Sequence, residues 1–465
     1  MKRENISPSF AEKKVLVVGV GRSGMGVCAV LRKYGCNVTA TDNRKSTELP
    51  RETASLEEQG VKLALGGHDV SLLDSKELVV LSPGVPRSLE LIQEALKRKI
   101  PVLSEIEVAS ELARSPLVAV TGTNGKSTVV TLLGKIFADA GFETAVAGNI
   151  GLPLSAVVED VPPDGVIIVE VSSFQLESIL RFHPRVAVLL NITHDHLDRY
   201  DGMDSYAAAK ARIFSNLTSS DFAVVNADDP LVMQLVAPSA ARRFNFSFRE
   251  RKVESGAFIR GGVFWLRRSG SESEVIKETE VRLKGPHNAW NILACICASA
   301  VMGVTAKQMT GPIARFKGLE HRLEEVAEID GVSFVNDSKA TNVDALKYAL
   351  LSFSDPVVLV AGGRDKNGDF ASLRQLVEER VRELVLIGEA AGKMQAAWPG
   401  TPAHVADSME KAVETAFKVA RPRETVLLAP GCASFDMFKD YEDRGNVFKA
   451  AVLSLVHGRT AERTP

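Results

Sequence analysis

The stretch LVAVTGTNGKSTVVTLLGK, Leu117–Lys135, concentrates side chains that can do chemistry. An apolar run stops at a turn made of Gly122, Thr123, Asn124 and Gly125, then Lys126, Ser127 and Thr128 follow and a helical pattern begins. A glycine-rich turn between strand and helix aims backbone N–H groups at one point. The helix N-terminus adds positive potential there, so a phosphate is the natural occupant. Gly122 and Gly125 remove side chains that would block its approach. Lys126 supplies a cation for the outer phosphates, and Ser127 or Thr128 a hydroxyl for Mg²⁺. The general loop pattern G-x-x-x-x-G-K asks for glycine where this chain has Val120, so the compact form TGTNGKST stands instead. The loop by itself does not decide whether ATP is hydrolysed, transferred or merely held.

Further polar groups sit at the ends of apolar runs. Glu170 closes VIIVE, where an α/β sheet places ligand chemistry, and a carboxylate there can hold Mg²⁺ opposite a loop hydroxyl. NITHDHLDRY follows the run RVAVLL and crowds His194, Asp195, His196 and Asp198 into a short turn. Near the N-terminus, GVGRSG (Gly19–Gly24) follows a strand pattern and precedes a helical one, with Asp42 ending the next strand. That satisfies the dinucleotide fingerprint, and on its own would indicate an NAD-dependent dehydrogenase. The same physics serves any nucleoside diphosphate.

The elements that must position these residues are short apolar runs alternating with helical patterns, the signature of parallel-sheet α/β structure. KVLVVGV and CNVTATD read as the first strands, and the pattern continues through ELVVLSPGVP to a break at Pro116. A second run starts at LVAVTG and includes GVIIVEVSSFQLE, RVAVLLNITHDHLDRY and DFAVVNADDP. From Phe244 to Gly285 short alternating stretches such as GAFIRGGVFWLRR predict strands and hairpins, and HNAWNILACICASAVMG then predicts an apolar helix. A third run places strands at SFVNDS, PVVLVAGG, ELVLIG and ETVLLAPG. The expected domains are 1–114, 115–318 and 319–465: Rossmann-like, P-loop ATPase-like with a small β-rich section, and Rossmann-like.

Composition bounds the function classes. The chain has 465 residues, 45% hydrophobic and 25% charged, with a formal net charge of −2, so no global basic field points to nucleic acid. No apolar run approaches the length of a bilayer span, and the N-terminus lacks the apolar segment of a secretory signal, so a cytoplasmic protein is expected. The five cysteines make no CxxC pair and no zinc spacing.

TGTNGKS, GNIG (Gly148–Gly151), VEVSSFQLE, NITHDHLDRY, the HNxxN of HNAWN (His287–Asn291) and GLEHR (Gly318–Arg322) occur in the order of the Mur ligase family, which the chain resembles over essentially its whole length. NDSKATN (Asn336–Asn342) and LLAPGCASFDMFKDYEDRG (Leu427–Gly445) resemble its D-glutamate-adding branch. The resemblance implies an ATP-dependent amide ligase of peptidoglycan precursor synthesis, acting on UDP-N-acetylmuramoyl-L-alanine, D-glutamate and ATP through an acyl phosphate. A sibling ligase for another amino acid, or a folylpolyglutamate synthase, is the nearest alternative, and a regulatory P-loop module a more distant one.

Residue by residue, the resemblance gives Lys126, Glu170, His196 and Lys210 catalytic places. Two Mg²⁺ ions are implied, one between Ser127 and Glu170, the other near His196 and Lys210, with Lys210 carbamylated by CO₂. ATP is implied at the turn and at Asn288, Asn291, His321, Arg322 and Asp337. Asn288 and Asn291 are three apart, on one helical face, and amides can both donate to and accept from an adenine edge. The uridine nucleotide is assigned to Val20, Gly21, Arg22, Ser23, Asp42 and Arg44, with Asn149 on the substrate or its phosphate. D-Glutamate is implied at Thr341 and Lys366 for one carboxylate and at Ser434 and Tyr441 for the other, with Lys339 nearby. A monomer is expected from the same resemblance.

Overall fold

The computed structural model describes residues 8–195, 199–283 and 285–462. They form two compact units. The first comprises 1–192, 204–280 and 290–315, and the second 193–203, 281–289 and 316–465. Three sheets run through them, one for each predicted run of strands.

The first sheet contains β1 (Lys14–Val18), β2 (Asn37–Asp42), β3 (Lys62–Leu65), β4 (Leu78–Leu81) and β5 (Val102–Ser104). They lie in the order β3-β2-β1-β4-β5, and all pairs are parallel. Side chains alternate across β1: Val15 and Val17 pack into one apolar cluster, Leu16 and Val18 into another. Burial on both faces is why this strand reads as an unbroken apolar run.

The second sheet, in the same unit, contains β6 (Leu117–Thr121), β7 (Thr144–Gly148), β8 (Val166–Glu170), β9 (Val186–Leu189), β10 (Phe222–Asn226), β11 (Arg242–Ser247), β12 (Gly256–Arg260), β13 (Val263–Arg268) and β14 (Ser271–Lys277). Its order is β14-β13-β12-β11-β10-β9-β6-β8-β7. The section predicted to be β-rich supplies an antiparallel extension of this same sheet, β12 to β14. Within the first unit the two sheets are tied through the helix Glu105–Ser110 after β5. Its buried Glu107 accepts the amides of Leu180, Arg181 and Phe182 at 2.9, 2.7 and 2.9 Å, and Glu105 accepts that of Ser155 at 2.6 Å.

The third sheet, in the second unit, contains β15 (Glu324–Ile329), β16 (Val332–Asn336), β17 (Val357–Gly362), β18 (Val381–Ile387), β19 (Ala403–Val405) and β20 (Thr425–Leu428), ordered β15-β16-β20-β17-β18-β19. Only the β15–β16 pair is antiparallel among the described pairs. Leu359 and Ala361 of β17 pack on one face and Val358 and Val360 on the other. No helix among the described residues is long and apolar enough to cross a membrane.

Candidate nucleotide and substrate sites

β6 delivers the chain to the turn at Gly122–Gly125, and Lys126 opens the helix Lys126–Asp139. Gly125 has φ +89°, and a Cβ placed on it would lie 2.2 Å from Asn291 Oδ1. Glycine is therefore required twice over, by backbone conformation and by the close approach of the Asn291 amide. Asn191, just after β9, clamps the turn. Its Oδ1 accepts the Asn124 amide at 2.9 Å, its Nδ2 donates to the Asn124 carbonyl at 3.1 Å, and its own carbonyl accepts the Thr123 amide at 3.0 Å.

Two ammonium groups converge on this turn. Lys126 Nζ donates to the carbonyls of Gly122 and Thr123 at 2.9 and 2.7 Å. Lys210, in the helix Met203–Ala211 and only 2% exposed, donates from Nζ to the same Gly122 carbonyl at 2.8 Å. Its ammonium also lies 4.7 Å from the centre of the Tyr206 ring, whose hydroxyl is 3.2 Å from Thr123 Oγ1. Lys210 is thus no exposed helix lysine; it packs onto the glycine turn.

Glu170 ends β8 almost wholly buried. Asn149 Nδ2 donates to its Oε1 at 3.0 Å, and the Asn149 amide to its carbonyl at 2.9 Å. Gly148, at φ +107°, admits this approach, since a Cβ there would stand 2.3 Å from the Glu170 carbonyl. Glu170 Oε2 is buried and has no hydrogen-bond partner among the described residues. A buried carboxylate oxygen without a donor calls for a cation or a proton. Ser127 and Thr128 are buried at the start of the adjacent helix. Hydroxyl and carboxylate are hard oxygen ligands of the kind Mg²⁺ takes, with phosphates and waters completing its shell. Among the described residues no group of three or more His, Cys, Asp or Glu could hold a metal; His196 lies outside the described residues.

The N-terminal glycine turn is held by packing and by Asp42. Gly19 has φ +92°, and a Cβ on Gly24 would stand 2.0 Å from the Gly19 carbonyl, so these two glycines let the helix Arg22–Lys33 start against β1. Gly21, with open space around it, caps that helix, and Arg22 and Ser23 form its first turn. Ser82 of LSPGVP donates to the Gly19 carbonyl at 2.7 Å. Asp42 Oδ2 accepts the Val20 amide at 2.8 Å and Arg44 Nη2 at 2.9 Å, and Oδ1 accepts Arg44 N and Nε at 3.0 and 2.9 Å. Burial pushes this carboxyl up, but the Arg44 fork and the Val20 amide outweigh it and hold it down at about 2. Both oxygens are engaged by the protein, which is not the open acceptor that a dinucleotide ribose uses in the Rossmann pattern.

The second unit gathers the remaining predicted residues around β16, β17 and β20. His321, at φ +61°, is buried with Nδ1 2.9 Å from Asn336 Nδ2. Asp337 follows β16, and burial raises it to about 7 against the opposing pull of Arg322 and the Leu323 amide. Lys339 Nζ lies 3.3 Å from the centre of the Tyr441 ring, and the Thr341 amide donates to the Lys339 carbonyl at 2.8 Å. Lys366 is half-buried in the loop after β17, and Ser434 is buried in the loop after β20. Asn288 is buried in the first turn of the helix Pro286–Val301, inside it and not at its cap. Beside it His287 is driven down to about 4 by burial, with Arg322 adding to the effect.

Two supporting residues escaped the residue-level reading. Asn191 is one, although it opens the quoted NITHDH turn. Arg444 is the other: fully buried, it donates to Ser338 Oγ and O at 2.9 and 2.7 Å and to the carbonyls of Cys432 and Ala433 at 3.1 and 3.3 Å. It thereby ties NDSKATN to APGCAS. Burial pulls its guanidinium down to about 10, with the charges of Cys432, Asp436 and Asp337 opposing the shift. The only signal for it was the arginine within YEDRG.

Three family models match the chain: the N-terminal domain of MurD-like Mur ligases over residues 13–104, the Mur ligase middle domain over 120–299, and the Mur ligase glutamate ligase domain over 321–432. A UDP-N-acetylmuramoylalanine–D-glutamate ligase of Pelotomaculum thermopropionicum is 47% identical over 452 residues, covering 97% of this chain and 99% of the relative. One of Geobacter metallireducens is 45% identical over 447 residues, 96% of this chain and 98% of the relative. Among solved structures, a type C pseudomurein peptide ligase of Methanothermus fervidus aligns with a TM-score of 0.63 at 20% identity, covering 95% of this chain and 100% of its own. The UDP-N-acetylmuramate–alanine ligase of Thermotoga maritima aligns at 0.58 and 18% identity, over 95% and 99%. At those identities the structural matches speak for the fold.

Proposed function

The chain belongs to the Mur ligase family, and from that premise we infer that it is the ATP-dependent ligase that joins D-glutamate to UDP-N-acetylmuramoyl-L-alanine. The observation that carries the choice of amino acid is the full-length similarity to ligases named for D-glutamate. The domains are assigned to 1–114, 115–318 and 319–465, and each family match falls inside one of them.

In the first step a carboxylate oxygen of the muramoyl-alanine substrate attacks the γ-phosphorus of ATP; a P–O bond forms, the bond to the β-phosphate oxygen breaks, and ADP leaves. In the second the amine of D-glutamate attacks the acyl carbon, the tetrahedral intermediate collapses, phosphate departs and the ammonium protons are lost. Both reactants of the first step are anionic, so positive charge must gather where they meet. The turn at Gly122–Ser127 is assigned to the ATP phosphates, with Lys126 turning its ammonium from the loop carbonyls toward them. Asn291, packed on Gly125, and Asn288 are assigned to the adenine edge, and His321, Arg322 and Asp337 to the same nucleotide. Ser127 and Oε2 of Glu170 are assigned to Mg²⁺, which when bound neutralises phosphate charge. Thr341, Lys366, Ser434, Tyr441 and Lys339 are assigned to D-glutamate, and Val20–Ser23, Asp42, Arg44 and Asn149 to the uridine substrate.

Lys210 is assigned as a carbamate. Two ammonium groups on one carbonyl repel each other. Condensation of CO₂ with the neutral Lys210 amine forms an N–C bond, releases a proton and leaves an anion, which turns that repulsion into attraction and supplies an oxygen ligand. His196 completes the set by family correspondence. Lys210→Ala is expected to lower turnover at least tenfold, with partial recovery on adding acetate or propionate; turnover equal to the parent's would remove the carbamate. A cytoplasmic monomer remains the expected state.

The whole reading is tested by coupled ADP formation with an amino-acid panel. ADP should appear only with the UDP-muramoyl-alanine substrate, Mg²⁺ and D-glutamate together. Equal rates with L-alanine or a diamino acid would reassign the ligase to a sibling activity.

A further inference from the structure

Arg444 reaches every loop assigned to the amino acid, directly or through one further bond. It lies fully buried in the first turn of the helix Tyr441–Glu462. Its guanidinium donates to Ser338, Cys432 and Ala433. Ser338 immediately precedes Lys339, and Ala433 immediately precedes Ser434. The Ala433 carbonyl also accepts the Arg364 amide at 2.9 Å, and the Ala433 amide donates to the Arg364 carbonyl at 3.0 Å, two residues before Lys366. Ser338 Oγ, which accepts from Arg444 Nε, donates its own hydrogen to the Tyr441 carbonyl at 2.8 Å. Gly363 permits this convergence. It has φ +125°, and a Cβ on it would stand 2.3 Å from the Ala433 carbonyl and 3.2 Å from Arg444 Nη1.

The three loops leave the carboxyl ends of β16, β20 and β17, which are parallel neighbours in that order. Adjacent strands are about 4.8 Å apart, so the outer two loops start roughly 10 Å apart. Thr341 and Lys366, assigned to one carboxylate of the amino acid, come from the outer loops. Ser434, assigned to the other, comes from the middle one. Arg444 therefore locks the middle loop against its neighbours. A guanidinium is planar and rigid, with five N–H donors at fixed angles, and an ammonium is a point charge that cannot hold several acceptors in one fixed arrangement. Burying a charge also costs free energy that an apolar side chain of the same volume would not. The gain is geometric, a fixed spacing between loops.

We propose that Arg444 is a positioning residue that sets the spacing between the two carboxylate subsites of the amino-acid pocket, and with it the chain length of the amino acid accepted. The proposal rests on the assignment of these loops to D-glutamate.

Steady-state ADP formation by the full-length protein tests it, with D-glutamate, the shorter D-aspartate and the longer D-2-aminoadipate, in the parent, Arg444→Lys and Ser338→Ala. One methylene in a fitted pocket is worth about 10–200-fold, so the kcat/KM of the parent should favour D-glutamate over either homologue by at least about tenfold. Arg444→Lys keeps the charge and loses the fork. It should raise the KM for D-glutamate about tenfold, leave the KM for ATP within about threefold, and reduce the preference for D-glutamate to about threefold or less. Ser338→Ala removes one of the four bonds and should fall between. Each preference is a ratio within one preparation, so any unfolded fraction cancels from it. A preference in Arg444→Lys equal to the parent's overturns the proposal, because a merely structural role lowers turnover of all three amino acids alike. Equal rises in the KM for ATP and for D-glutamate overturn it too. Should Arg444→Lys give no folded protein, the same ratio in Ser338→Ala decides. A parent whose ADP formation does not depend on D-glutamate removes the assignment of the pocket first, and this inference with it.

Discussion

Asp337 and Asp42 show how one residue type is tuned in opposite directions. An unfolded aspartate ionises near about 3.9. Burial raises Asp337 to about 7. Between those two values the native chain keeps a proton that the unfolded chain has released, so this group's contribution to stability falls as pH rises through that window. Asp337→Asn should therefore raise the unfolding midpoint at pH 8 and leave it unchanged near pH 4. Urea titrations at the two pH values measure this, and equal midpoints at pH 8 would refute the burial argument. Asp42 has the reverse sign. Its carboxyl is held at about 2, so the stability it lends is complete above about pH 4 and is lost as pH falls toward 2. Glu170 makes the third residue-scale case, because one of its oxygens is bonded to Asn149 while the other has no partner among the described residues. Glu170→Gln keeps the shape and the Asn149 bond and deletes the charge. Expected are an unchanged fold, ADP formation lowered about a hundredfold or more, and saturation only at higher Mg²⁺. A magnesium titration identical to the parent's would remove Glu170 from the cation site.

At the scale of elements, the turn works because strand, turn and helix are each held by something outside themselves. Gly125→Ala puts a methyl group into a left-handed residue and into the Asn291 amide at once. The backbone term alone is about 1–2 kcal/mol. Displacing Asn291 should add at least a tenfold rise in the KM for ATP while the KM for D-glutamate stays put; equal rises in both would mean that the change is global. This turn was legible in the sequence because its parts are contiguous and follow a strand buried on both faces. β1, β8, β9, β17 and β20 were legible for the same reason. β3 and β5 were not singled out, because KLAL and VLS are too short to show a pattern, and EEVAEI of β15 is an antiparallel edge strand carrying acidic residues. The supports of the site were hidden for a different reason. Asn191 meets Asn124 across 67 positions and Arg444 meets Ser338 across 106, and no local spacing records such a pairing.

For the whole molecule, the residues assigned to the phosphates and those assigned to the amino acid fall in different compact units, although Asn288, His321, Arg322 and Asp337, assigned to the nucleotide, also lie in the second. The glycine turn with Lys126, Glu170 and Lys210 belongs to the first, and Lys339, Thr341, Lys366, Ser434 and Tyr441 belong to the second. Phosphoryl transfer and amide formation should then be separable by mutation. Hydroxylamine makes the separation visible, since this small nucleophile attacks an acyl phosphate, forms an N–C bond, expels phosphate and leaves a stable hydroxamate without any pocket for an amino acid. With ATP, Mg²⁺ and the muramoyl substrate present, Lys126→Ala should yield neither hydroxamate nor amide, because the phosphoryl group never moves. Thr341→Ala and Lys366→Ala should lose the amide with D-glutamate by tenfold or more, through a raised KM for the amino acid, while hydroxamate still forms at close to the parent rate. Loss of hydroxamate in the Thr341 and Lys366 variants would place those residues on the phosphoryl step. Hydroxamate from Lys126→Ala at the parent rate would show that the turn does not carry the charge on which the acyl phosphate depends.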